Sequence, residues 1–99
     1  MKLFAEVEFF SAELENQNQL DAAIEGCDFV IHTAAPVGGN PKNHEDMIRP
    51  SVNGNLNVLK AAQKNKVKRV VITSSISAII NQPPATDTHV YDENTWTDI

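Results

Sequence analysis

Two apolar runs that end in small and hydroxyl side chains constrain this chain more than anything else in it. The first is Ile31-His32-Thr33-Ala34-Ala35-Pro36 and the second is Arg69-Val70-Val71-Ile72-Thr73-Ser74-Ser75, with a helical pattern between them. Two strands joined through a long helix favour a parallel pair, which needs a crossover of a dozen residues or more. In open α/β sheets the crevice outside the carboxyl ends of such strands is where ligands bind. The small and hydroxyl residues that close each run therefore stand where cofactor and substrate chemistry is expected.

The neighbouring segments extend the pattern. Val7 to Phe10 is a short apolar and aromatic run that predicts a strand. Asn16 or Asn18 is placed to cap the helix that follows, and Leu20, Ala23 and Ile24 give that helix one buried face. Gly26 is placed to end it in the left-handed conformation. Asp28 to Thr33 predicts a strand so apolar that it should be buried on both faces. Pro36, Gly38, Gly39 and Pro41 mark a loop. A long helix is expected from about Glu45 to Lys64, with Met47, Ile48, Val52, Leu56, Leu59 and Ala62 near helical spacing. Pro50 predicts a kink or a late start near residue 50, and Asn65 can terminate the helix. Val67 to Ser74 is the next strand, and beyond Asn81 the chain reads as loop, with Pro83-Pro84. The order is β-α-β-α-β, which favours a parallel sheet with right-handed crossovers.

Composition narrows the class. Ninety-nine residues support one small domain, and a net charge of −5 argues against a nucleic-acid or acidic-membrane partner. Lys60, Lys64, Lys66, Lys68 and Arg69 cluster where cations complement the C-terminus of a helix dipole. Cys27 is the only cysteine, so an intramolecular disulfide is excluded and a reducing, cytoplasmic setting is expected. Glu6 and Glu8 interrupt any signal-like apolar run after Met1, and no stretch approaches the length of a membrane span. His32, His44, His89 and Cys27 lack metal-ligand spacing, so no metal is expected. His32 reads as a packed core histidine beside the first strand end.

Four stretches, in this order and spacing, resemble the extended short-chain dehydrogenase/reductases of the dihydroflavonol reductase and cinnamoyl-CoA reductase branch, within the NAD-dependent epimerase/dehydratase superfamily. Leu20 to Cys27 is similar to the family's third helix. Val30 to Pro36 is similar to its fourth strand and cofactor turn, and Pro50 to Leu59 to its fourth helix. Arg69 to Ser75, with Val90 to Asp98, resembles its fifth strand and the segment leading to the catalytic tyrosine. The resemblance covers about residues 10–99. It implies a partial Rossmann-like α/β domain holding the third to fifth strands of a doubly wound parallel sheet, without the first two strands and the substrate domain.

The same resemblance assigns roles. It gives Thr33, Ala34 and Ala35 contact with the adenosine and ribose side of NADP(H), with NAD(H) as the alternative; from the residues alone the same turn is a tight turn chosen for packing. Ala12-Glu13-Leu14 matches an Ala-Asp-Leu whose carboxylate faces the adenine amino group; here Glu13 carries it on a longer stem, and an exposed loop acid is the plainer reading. Thr73 closes the strand on the cofactor side. Ser75 aligns with the serine that hydrogen-bonds a substrate carbonyl, a role suited to a hydroxyl that donates to an oxygen gaining charge; a turn or capping serine is the alternative. Ser51 stands where many short-chain reductases place an asparagine that organises a water relay. Tyr91 would need Lys at position 95 to have its high phenol pKa lowered, and Thr95 is there, so Tyr91 is not the catalytic acid. Ile80 stands near a polar substrate contact of flavonoid-reducing members, which favours an aliphatic or simple aromatic carbonyl.

The resemblance therefore implies a small-molecule carbonyl substrate and a reductase of which this sequence is an internal piece. The glycine-rich phosphate loop is expected upstream and Tyr-x-x-x-Lys downstream. In the family's strand order, 3-2-1-4-5, the Val7–Phe10 strand is separated from the other two, so the isolated chain is expected to be marginally folded and inactive. Rival readings are a nucleotide-sugar epimerase or dehydratase of the same superfamily, a non-catalytic remnant acting as a binding or assembly piece, and a small flavodoxin-like domain that would need all three strands paired together. No oligomeric state follows from the sequence.

Overall fold

The computed structural model describes residues 6–36, 45–79 and 91–96. Its elements are helix α1 (Gln17–Ile24), strand β1 (Phe29–His32), helix α2 (Glu45–Lys64), strand β2 (Arg69–Ile72) and a short 3-10 turn (Ile76–Ala78). The two strands form one parallel sheet, with Phe29 opposite Arg69 and His32 opposite Ile72. The ladder continues at both ends, where Lys68 N donates to the Asp28 carbonyl at 2.8 Å and Thr73 N donates to the His32 carbonyl at 3.0 Å.

α1 begins where its capping chemistry places it. Asn16 is extended, and its side-chain oxygen accepts the Gln19 N–H at 3.1 Å, satisfying one orphan donor of the first turn. Gly26 follows the helix at φ +80°, a conformation that costs glycine little. α2 ends with the same handedness change, but on Lys66 at φ +57°. Lys66 N donates to the Gln63 carbonyl at 3.1 Å and Val67 N to the Ala62 carbonyl at 2.9 Å, the paired bonds of a Schellman ending. A side chain in this region costs roughly 1–2 kcal/mol relative to glycine. Lys66→Gly is therefore expected to stabilise the chain by about 0.5–1 kcal/mol, after the extra unfolded-state freedom of glycine is subtracted. The urea midpoint checks this; an unchanged or lower midpoint would refute it.

The helices run side by side on one face of the sheet. Leu20 and Ile24 of α1 meet Val58 and Ala61 of α2, with Leu14, Val30 and Val67 packed around them. Gly54 lets the chain before α1 approach closely: a Cβ there would lie 3.2 Å from Leu14 Cδ1 and 3.3 Å from Leu14 Cβ. Polar side chains lock the same seam. Asn57 Nδ2 donates to the Leu14 carbonyl at 2.8 Å, and Gln17 Nε2 donates to the Asn57 carbonyl at 2.9 Å and to Asp21 Oδ1 at 3.0 Å. Asn65 Nδ2 donates to the carbonyls of Asp21 and Ala61, both at 3.0 Å.

Asp21 is the charged member of that seam, with Lys64 Nζ 3.0 Å from its Oδ2. The Gln17 amide, then the Lys64 hydrogen bond and charge, hold its carboxyl below the ordinary value of 3.8 against an opposing burial effect. A carboxylate whose pKa is lowered by folding stabilises the fold above its unfolded pKa and loses that contribution as pH falls through the folded value. The thermal midpoint of the parent should therefore exceed that of Asp21→Asn near neutrality, and the gap should close below about pH 4. A gap independent of pH would refute the assignment.

Three sequence expectations are corrected. Val7 to Phe10 is not a strand, and all four residues are exposed. A strand needs a hydrogen-bonded neighbour, and the β1–β2 pair does not take this segment as a third; the flavodoxin-like arrangement of three mutually paired strands is accordingly not formed among the described residues. Second, β1 is not buried on both faces. Val30 and His32 turn toward the helices, but Phe29 is 65% and Ile31 75% exposed, and their neighbour Val71 is 53% exposed. The helices cover one face of the sheet, and no described element covers the other. α2 runs from Glu45 to Lys64 as expected, and Pro50 lies inside it without delaying its start. Its first turn carries Glu45 and Asp46, which suit the positive end of the helix dipole, and Ser51 Oγ donates back to the Met47 carbonyl at 2.9 Å. Third, the inward stripe of α2 is Gly54, Val58, Ala61 and Ala62, while Met47, Ile48, Val52, Leu56 and Leu59 are exposed. Small residues win the seam because they let α1 come close; of the expected stripe only Ala62 is buried.

Candidate strand-end site

Because β1 and β2 are parallel and adjacent, their carboxyl ends open at one edge of the sheet. Thr33, Ala34, Ala35 and Pro36 leave β1 there, and Thr73, Ser74 and Ser75 leave β2 beside them. Continued one step past His32 and Ile72, the register sets Thr33 next to Thr73, and the Thr73 N–H bond to His32 shows the chains still together at that point. His32, the last residue of β1, is buried beneath this edge, the packed position expected of it.

Every residue of the two strand-end segments is exposed. Small, open side chains leave the backbone free to lie against a flat group, which suits the adenosine and ribose of a dinucleotide. Neither segment supplies a cation for its phosphates. Ser75 has the most defined geometry. It is extended at φ −143° and ψ 150° and caps the 3-10 turn, its Oγ accepting the Ser77 N–H at 3.2 Å. Its carbonyl accepts the Ala78 N–H at 3.0 Å. The capping role weighed from sequence is thus present, and it leaves the hydroxyl proton available as a donor, since a serine oxygen accepts through its lone pairs and donates through its single O–H.

Glu13 and Leu14 lie before α1 rather than on either strand-end segment. Glu13 is exposed, its N–H donating to Gln19 Oε1 at 2.9 Å and its carbonyl accepting the Asn16 N–H at 3.0 Å. The Leu14 side chain packs against Gly54 and the helical core. Leu14 is thereby a packing residue in addition to any cofactor contact. The close approach at Gly54 had a signal in the sequence: glycine in a helix interior costs about 1 kcal/mol against alanine, so it usually has a packing reason.

Other expectations fall where the structure puts them. Ser51 directs its hydroxyl to the Met47 carbonyl of its own helix. Tyr91 is followed by a turn in which Asp92 Oδ1 accepts the Asn94 N–H at 2.9 Å and the Thr95 hydroxyl at 3.3 Å. Of the cationic cluster, Lys64 pairs with Asp21 at 3.0 Å and Lys68 with Asp28 at 3.9 Å. Cys27 is exposed and unbridged. Ile80, His44, His89, the Gly38–Pro41 loop and Pro83-Pro84 lie outside the described residues. Among the described residues, no His, Cys, Asp and Glu side chains are grouped to hold a metal, and no helix is long and apolar enough to cross a membrane.

Cinnamoyl-CoA reductase 1 of Arabidopsis thaliana is 49% identical over 88 residues, covering 89% of this chain and 25% of the reductase. An anthocyanidin reductase ((2S)-flavan-3-ol-forming) of Vitis vinifera is 46% identical over 99 residues, covering 95% of this chain and 28% of that protein. Cinnamoyl-CoA reductase 1 of Petunia hybrida is 45% identical over 87 residues, covering 88% and 25%. The chain thus spans about a quarter of the length of the curated relatives it matches. The family model that fits it runs across residues 2–99, taking in both strand ends and the helical seam. On that match the chain belongs to the 3-beta hydroxysteroid dehydrogenase/isomerase family.

Proposed function

We propose that this sequence forms one wall of the cofactor and substrate crevice of an NADP(H)-dependent carbonyl reductase, with NAD(H) as the alternative cofactor. The observation that carries the reading is the delivery of Thr33-Ala34-Ala35 and Thr73-Ser74-Ser75 to one edge by adjacent parallel strands. The reductase names of the relatives favour carbonyl reduction over the nucleotide-sugar chemistry of the wider superfamily.

The bound dinucleotide supplies hydride. Thr33, Ala34 and Ala35 would line its adenosine and ribose side, Thr73 would stand on the cofactor side of its strand, and Glu13 would accept from the adenine amino group, with Leu14 holding the segment against α2. Ser75 donates its hydroxyl proton in a hydrogen bond to the carbonyl oxygen of a ketone or aldehyde. That bond strengthens as the oxygen gains negative charge, which lowers the barrier rather than only improving binding. The proton that completes the alcohol comes from a tyrosine outside these 99 residues. The 99-residue chain alone is inactive, because neither the phosphate-holding turn nor that tyrosine is in its sequence.

The test is the intact mass of the endogenous polypeptide, captured by antibody and read by mass spectrometry. A mass several-fold above 10.9 kDa, with a glycine-rich peptide upstream and Tyr-x-x-x-Lys downstream, is expected. A mass of 10.9 kDa would overturn the reading in favour of a non-catalytic binding or assembly piece.

A further inference from the structure

We infer that the backbone N–H of Ser77 is a positioning group for the Ser75 hydroxyl, fixing it as a hydrogen-bond donor toward the carbonyl oxygen. This deepens the reductase reading and rests on it. Ser75 is held at two points by the turn that follows it: Oγ accepts from Ser77 N at 3.2 Å, and the Ser75 carbonyl accepts from Ala78 N at 3.0 Å. A third bond, Ile79 N to the Ile76 carbonyl at 3.0 Å, closes the turn. A free serine hydroxyl samples three rotamers and can present either lone pairs or proton to a ligand. Here one lone pair is occupied by an amide of the same turn, so Oγ is held at one position and its proton lies away from the Ser77 N–H. Accepting that bond also polarises the O–H, and chained hydrogen bonds strengthen one another. The group acts through Ser75 and touches no reacting atom.

Side-chain substitution at position 77 leaves the amide in place, and proline there would disturb Ile76, because the residue before proline is pushed out of helical conformation. The experiment is therefore an amide-to-ester replacement of the Ile76–Ser77 linkage, made in the whole natural polypeptide carrying this sequence. Lactic acid takes position 77, and Ser77→Ala, which keeps the amide, is the reference. Because the ester also weakens the Ile76 carbonyl that accepts the Ile79 N–H, an ester at the Ala78–Ile79 linkage is run beside it. That ester removes the second bond, keeps the Ser77 N–H and should retain the kcat of the reference. NADPH-dependent reduction of a carbonyl substrate is followed, with Ser75→Ala alongside. The expected result is a kcat for the ester about tenfold below Ser77→Ala, the upper end of one net hydrogen bond, with KM and thermal midpoint alike in the two proteins. In the Ser75→Ala background the ester should cost nothing further, because the oxygen it orients is gone. If the ester matches Ser77→Ala in kcat while Ser75→Ala is crippled, the inference is overturned and the reductase reading stands. If KM and thermal midpoint fall away together with kcat, the amide only holds the turn, and the inference is again overturned. If Ser75→Ala is as active as the parent, the catalytic role of Ser75 fails and takes this inference with it.

Discussion

Leu20→Ala is expected to remove a large part of the chain's folding stability. Leu20 is buried in the one described core cluster, against Ile24, Val58 and Ala61. Deleting a buried leucine side chain costs about 2–5 kcal/mol, through lost transfer energy and the cavity left behind. Small domains hold roughly 5–15 kcal/mol in total, and this core is thin: Ala61 is the only residue of the cluster at 0% exposure. A loss of that size corresponds to a midpoint lowered by at least about 10 °C in a domain of this length. Leu56→Ala is the informative companion, because Leu56 belongs to the stripe that spacing alone would bury, yet it is exposed on α2. It should cost less than about 1 kcal/mol in this chain. Thermal melts followed by helical circular dichroism check both. Equal losses at Leu20 and Leu56 would contradict the packing described here.

Ser75→Ala carries the largest expected effect on activity. In the whole polypeptide it should lower kcat by about 10²–10³, the usual cost of removing one donor aimed at a developing oxyanion. KM should change far less, because the bond gains its strength in the transition state. Ser74 lies one residue earlier and caps no described turn, so Ser74→Ala should lose far less. Steady-state kinetics of the two variants decide the matter; comparable losses would move the role away from Ser75.

Much of this arrangement was legible in the residues. Asn16 as a cap, Gly26 in left-handed conformation, and the two strands on either side of a helix ending at Lys64 follow from capping chemistry and periodicity, which are local. The strand-end segments were legible for the same reason, since each is a change of residue type within one short run. What failed was burial, which is not local. Phe29 and Ile31 read as core, and so did Ile48, Val52 and Leu56, because an apolar side chain reports a preference for cover without saying what provides it. The Val7–Phe10 run failed similarly: its composition suits a strand, but pairing depends on a neighbour elsewhere in the fold. The seam between the helices was hidden in small residues, Gly54 and Ala61, and in amides, Gln17, Asn57 and Asn65, whose partners lie about forty residues away. The corrected faces and the proposed reductase are compatible, since apolar surface on a sheet and on α2 is what a doubly wound domain covers with further layers.

If these strand ends serve hydride transfer to a carbonyl, isotope transfer from the cofactor to the product follows. The natural polypeptide carrying this sequence is incubated with NADPH deuterated at nicotinamide C4 and a panel of aliphatic and simple aromatic aldehydes and ketones. Deuterium is expected on the carbinol carbon of at least one product, formed at a rate that falls about 10²–10³-fold in Ser75→Ala. Absence of label from every product, or labelling that proceeds equally in Ser75→Ala, would contradict it.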